Sequence, residues 1–191
     1  MSADDELIDR FVASFANFDE LSAPKELDSV AWQLRTGGDT DQFGYHHWSP
    51  AKASLDPSSL DALYAKLPAR FPPLYERLVL SYRWAEVDLR LYRLLANPPG
   101  IDLSGLLDQM SRAPDFSERL LPAGYLPFGK GPDLDFDPVC FDIKAKTSSD
   151  YRIVKLDHEE ILCKNRLKVV AELAPSFRQL VLNTIAPTTA G

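Results

Sequence analysis

The stretch Gly124–Glu160, GYLPFGKGPDLDFDPVCFDIKAKTSSDYRIVKLDHEE, decides how this chain is read. It holds three strand-like runs, Tyr125–Phe128, Val139–Ile143 and Tyr151–Leu156. A Gly/Pro/Asp loop joins the first to the second, and a Lys/Thr/Ser loop joins the second to the third. In the third run Tyr151, Ile153 and Lys155 alternate with Arg152, Val154 and Leu156, the period of two that a strand imposes. The stretch therefore reads as the central meander of a sheet. No run holds an evident nucleophile or metal cluster, so the question becomes what the sheet serves.

Outside this stretch, composition sets the bounds. A chain of 191 residues with 45% hydrophobic and 26% charged residues has the make-up of one globular domain with a sizeable core. No apolar run reaches the roughly 18 residues of a membrane-spanning helix, so a membrane partner is not expected. The start, MSADDELIDR, is acidic where a secretory signal would be basic and then apolar. Cys140 and Cys163 both lie in apolar contexts and read as buried free thiols. These features together predict a cytoplasmic protein. The net charge of −7 is concentrated at the start: residues 1–28 hold eight acidic residues against Arg10 and Lys25. No basic stripe exists, so phosphate-driven nucleic-acid binding is not expected.

Residues 3–18 predict an amphipathic helix, with Leu7, Ile8, Phe11, Val12, Phe15 and Phe18 on one stripe packed against the main body. Ser29–Leu34 fits a short strand or a helical turn. The loop RTGGDTDQFGYHHWSP follows, with Tyr45, His46, His47 and Trp48 in sequence. Two adjacent histidines do not make a metal site without further ligands, and the chain's third histidine is His158. Asp56-Pro57 opens a first short helix, Leu67-Pro68 breaks it, and Pro72-Pro73 opens a second, giving a helical hairpin. Ala85–Ala96 matches both strand and helix spacing and is read as a strand, because Pro98-Pro99-Gly100 closes it. Leu103–Arg112 predicts a short helix, and Asp115 a capped turn running to Leu121. Ile161–Lys164 reads as a turn, Lys168–Leu173 as the approach to the last helix, and Pro175-Ser176 as that helix's start. APTTAG is a fraying tail.

The order DPSSLDALYAKLPARFPPLYERLVLSY, YLPFGKG, PVCFDI, VKLDHE and SFRQLVLNTI resembles the SUKH superfamily of SMI1/KNR4-like proteins. The resemblance spans Asp56–Ile185, about two-thirds of the chain. It leaves residues 1–55 as an N-terminal extension, helix plus loop, packed on a main domain over 56–191. Gly129 and the Asp157-His158-Glu159 triplet match the family pattern. Leu156 stands where the family commonly has an aromatic residue, and Ser81–Trp84 where it has Asn-Gly. The resemblance implies an α+β fold, a largely antiparallel sheet packed against helices, and a non-enzymatic binding module. Bacterial members of the family are mostly immunity proteins that neutralise a cognate toxin; eukaryotic relatives act as regulatory scaffolds.

The same residues offer little chemistry. Asp133-Leu134-Asp135-Phe136-Asp137 begins like a calcium loop, but Pro138 stands where that loop needs glycine and Lys144 where it needs a bidentate glutamate. Cys140 and His158 have the types of a nucleophile and its base, yet Val-Cys-Phe is the setting of a buried, inert thiol. Asp157-His158-Glu159 reads as the polar end of a strand or as a contact site. The expectation is thus a toxin-neutralising binding protein without cofactor or metal, which covers its partner's active surface. Its contact residues are expected among exposed aromatics and acids: Tyr45, Trp48, Trp84, Asp133, Asp135, His158 and Glu159. The alternatives are a regulatory scaffold that recruits through residues 1–55, and a small hydrolase or metal enzyme using His46, His47, His158 or the aspartate loop.

Overall fold

The computed structural model describes residues 2–17, 22–24, 31–38, 40–111, 118–147 and 150–186. Phe18, Ser29, the cap at Asp115, Ser148-Ser149 and the tail beyond Ala186 lie outside the described residues.

The meander forms as its alternation dictates. Strands β7 (Tyr125–Lys130), β8 (Pro138–Thr147) and β9 (Asp150–Leu156) pair antiparallel in sequence order. They are the centre of a six-stranded antiparallel sheet ordered β10-β9-β8-β7-β6-β5, with β5 at Val87–Asp88, β6 at Arg93–Leu94 and β10 at Val169–Ala174. The alternation in β9 is incomplete because both faces are covered. Tyr151 and Ile153 join the large core, whereas Val154 and Leu156 join a second cluster with Leu120, Tyr125, Cys140 and Ile161. The chain is therefore an α+β protein.

Two expectations around the meander are corrected. Ala85–Ala96 is not one strand but the hairpin β5–β6. The chain reverses at Arg90, whose φ is 68°, and the Asp88 carboxylate accepts the Arg90 N–H at 2.9 Å. An Asp-centred turn without glycine left the alternation Val87, Leu89, Leu91 looking continuous. Ile161–Lys164 is not a turn but the end of helix α5 (His158–Lys164), and Lys168–Leu173 is the edge strand β10. Asp157 caps α5 by accepting the Glu160 N–H at 3.0 Å. Asn165, with φ 50°, stops it.

Helices α1 (Ala3–Ala13), α3 (Pro73–Ser81) and α6 (Phe177–Ile185) close the large core. Ser2 and Asp5 form a reciprocal capping box on α1, whose first turn also carries Asp4 and Glu6. Between α1 and α3 lie the two-stranded pair of β1 (Ser22–Pro24) with β2 (Tyr45–His47), the strand β3 (Ala51–Lys52), and a 3-10 turn leading into α2 (Asp61–Tyr64); β3 pairs with β4 (Tyr82–Arg83), which follows α3. Helix α4 spans Ser104–Ser111. The core centres on stacked Phe128 and Phe141, 4.2 Å between centroids, with Tyr75 and Phe177 set edge-on to both. Phe11, Phe15, Leu34 and Trp48 of the N-terminal 55 residues belong to this same cluster.

Asn97 is fully buried beside α3. Asn97 donates to the Val79 and Tyr82 carbonyls and accepts from Arg83 at 2.8 Å.

Candidate functional site

The sheet ends in a corner where the β5–β6 turn, the β7–β8 loop and the β9–α5 junction meet. The loop Gly131–Asp137 is held by its own backbone: Gly131 N–H donates to the Asp137 carbonyl and Asp135 N–H to the Pro132 carbonyl, each at 2.9 Å. Gly131 is required there, because a Cβ would sit 2.1 Å from Cγ of Asp135. Asp135 thus folds back over the loop, where its Oδ1 accepts the Asp137 N–H at 2.9 Å. Asp88 accepts the Asp133 N–H at 2.9 Å and so ties the β5–β6 turn to the loop.

Four side chains converge beneath this loop. Lys155 of β9 places its ammonium 2.8 Å from Asp135 Oδ2 and 3.7 Å from Asp137 Oδ2. Asp137 Oδ1 accepts the His158 backbone N–H at 2.8 Å and meets the His158 ring Nδ1 at 2.6 Å. A carboxylate only accepts, so Nδ1 carries the proton. Burial pushes the Asp135 pKa up, but the Lys155 hydrogen bond and the Asp137 N–H outweigh it and hold the carboxyl below its ordinary value. The same bond to Asp135 holds Lys155 above its own ordinary value.

Ligand atoms of Asp135, Asp137 and His158 lie within 4.8 Å of one another, a spacing that suits a cation. The Lys155 ammonium already takes that part, since it bridges both carboxylates, and a divalent ion would face its full repulsion. Lys155 and the two His158 N–H groups thus brace the loop's inward carboxylates.

Beside the loop lies a cleft of about 210 Å³ between β7–β8 and the end of α4, lined by Met110, Leu120, Pro127, Phe136 and Pro138. At its mouth Lys130 pairs with Glu86 at 2.9 Å. The Phe136 ring stands edge-on to His158, 6.2 Å between centroids. Leu134 and Phe136 themselves are 85% and 56% exposed.

Of the predicted contact residues, the structure brings Asp135 and His158 together, with exposed Asp133 and Glu159 on the same corner. Tyr45 is exposed but belongs to the separate β1–β2 pair. Trp48 and Trp84 are corrected, being 3% and 0% exposed. Each sits at an isolated bridge, Trp48 opposite Arg35 and Trp84 opposite Asn97, with its indole turned into the core. Trp84 Nε1 donates to the Leu95 carbonyl at 2.8 Å, so even its polar atom is satisfied inside. Cys140 is buried as expected, and burial pushes its thiol well above the ordinary range. Cys163, by contrast, is exposed on α5. Lys155, Phe136 and the cleft were not singled out in the sequence. The signal for Lys155 was a cation at the end of an otherwise apolar strand face, directly opposite an aspartate loop.

These features define the class: an α+β protein whose antiparallel sheet ends in a braced acidic loop with exposed apolar side chains. No protein-family model, curated protein or solved structure matches the chain. No described helix is long and apolar enough to cross a membrane.

Proposed function

We propose that this chain is a non-enzymatic, cytoplasmic protein-binding module of SUKH type, an immunity protein that covers the active surface of a cognate toxin domain. The observation that carries this reading is the loop Asp133–Asp137. It presents Leu134 and Phe136 to solvent between carboxylates while Lys155 and His158 hold the Asp135 and Asp137 side chains from below. A braced loop pays little ordering entropy on binding, and exposed apolar side chains next to charge are what an interface core and rim require. Cys140, the meander's cysteine, is sealed in the second cluster away from solvent.

The test is co-expression with the toxin domain encoded beside this gene. The two proteins are expected to co-purify, and cells expressing the toxin are expected to survive only with this chain. Absence of both complex and protection would remove the immunity reading.

A further inference from the structure

We infer that Asp88 is a positioning residue, one carboxylate that clamps the β5–β6 turn and the β7–β8 loop together and so sets Leu91 and Leu134 out on the same corner. Its bearing on a partner rests on the binding-module reading, which it widens from one loop to two connections.

Backbone strain marks both connections. Among the described residues three other than glycine have positive φ: Arg90 at 68°, Asp133 at 51° and Asn165 at 50°. Asn165 closes α5, an ordinary place for such a residue. Arg90 and Asp133 close no helix, and a residue bearing a Cβ is disfavoured in that conformation. Arg90 is also the centre of a γ-turn, in which the Leu91 N–H donates to the Leu89 carbonyl at 2.9 Å. The positive-φ form of that turn is the rare, strained one. Such strain persists where surrounding contacts over-determine the backbone.

A single side chain supplies those contacts at both places. Asp88 Oδ1 accepts the Arg90 N–H and Oδ2 accepts the Asp133 N–H, each at 2.9 Å. The N–H groups it holds are therefore those of the two strained residues, although Asp88 and Asp133 lie 45 positions apart. Arg93 on β6 reaches the same carboxylate at 3.2 Å. Each strained residue is followed directly by an exposed leucine, Leu91 at 53% and Leu134 at 85%. Without Asp88 both turns lose their hold at once, and each backbone relaxes toward negative φ and carries its leucine with it.

The experiment follows leucine methyl and backbone amide signals of the isotope-labelled full chain. Asp88→Ala is expected to shift the methyl signals of both Leu91 and Leu134 and to speed exchange of the Asp133 amide by about tenfold or more. Adding Asp133→Gly supplies a residue that adopts positive φ without steric cost. The double variant is therefore expected to return the Leu134 signals to their parental positions while Leu91 stays displaced. An aspartate that serves its own hairpin alone would shift Leu91 only. Leu134 unmoved in Asp88→Ala, or no recovery in the double variant, would overturn the clamp. Should Asp88→Ala not fold, Asp88→Asn keeps one acceptor oxygen and is expected to displace one leucine of the two; both unmoved would overturn the clamp equally. Asp88→Ala is also expected to weaken binding of the toxin domain severalfold, with partial recovery in the double variant. Unchanged affinity would remove Asp88 from binding and leave the binding reading standing. If the leucine signals respond as expected but the toxin domain does not bind the parent chain, the clamp stands and the reading falls.

Discussion

Phe11→Ala decides whether the N-terminal helix is part of the folding unit or a recruiting arm. Phe11 is 0% exposed, and its ring meets Phe15 edge-on at 5.1 Å and Phe177 at 6.5 Å. Truncating a buried phenylalanine to alanine costs about 3–5 kcal/mol through lost transfer energy and the cavity left behind. Two edge-on partners, one of them across the core on α6, place this site near the middle of that range, at about 4 kcal/mol. Set against a total stability of about 5–15 kcal/mol, the loss is a large fraction of the whole. For a chain of this size each kcal/mol moves the melting temperature by about 2–4 °C, so a fall of roughly 8–16 °C is expected. The assay is urea and thermal denaturation followed by circular dichroism, with exposed Arg10→Lys on the same helix as a control expected within about 0.5 kcal/mol of the parent. An unchanged midpoint for Phe11→Ala, with native binding lost, would refute this reasoning. It would instead make residues 1–55 a detachable arm, as the scaffold reading requires.

Two further outcomes follow from the same structure. The Ser2 backbone N–H and the Arg77 guanidinium, 2.5 Å away, hold the Asp5 carboxyl down at about 2 from its ordinary 3.8. A depressed folded value stabilises the protein above the unfolded value and fades as pH falls through the folded one. The difference in urea midpoint between the parent and Asp5→Asn is therefore expected to be full near neutral pH and to vanish between about pH 4 and pH 2; a constant difference across that window would contradict the assignment. A thiol reagent is expected to label Cys163 rapidly in the native protein and Cys140 only after denaturation, because one is exposed and the other sealed in the second cluster. Equal rates for both would show that the sheet's second face is open.

How much of this was legible in the sequence depends on where the controlling forces act. The meander was legible because Val139–Ile143 and Tyr151–Leu156 carry their own period and their own turn residues. Helix α1 was legible because Leu7, Ile8, Phe11 and Val12 repeat at helical spacing, and all four are buried. The β5–β6 hairpin was hidden because its turn uses a side-chain acceptor, Asp88, and a non-glycine residue at positive φ. Strand β10 was hidden because an edge strand with Val169 and Val170 half outside lacks a clean apolar face. Trp48 and Trp84 show the limit for sites. A tryptophan in a loop-like stretch reads equally as a contact or as core, and only the tertiary bridge opposite each one settles the choice.

The loop Asp133–Asp137 turns an ordinary preference inside out. Alternating polar and apolar residues usually send the apolar set inward, as β9 does with Tyr151 and Ile153. Here the aspartates turn inward, Asp135 over Gly131 and onto Lys155, Asp137 onto His158, while Leu134 and Phe136 face water. The carboxylates tolerate this because each finds a cation or N–H donors, so little uncompensated charge is buried. The apolar pair gains nothing from it in the isolated chain. Burying a side chain of that kind is worth about 1.5–3 kcal/mol, and that stabilisation becomes available only when something covers the loop. On the proposed binding-module reading, Lys155 and His158 hold two aspartates in and thereby leave two hydrophobic side chains out for a partner to cover.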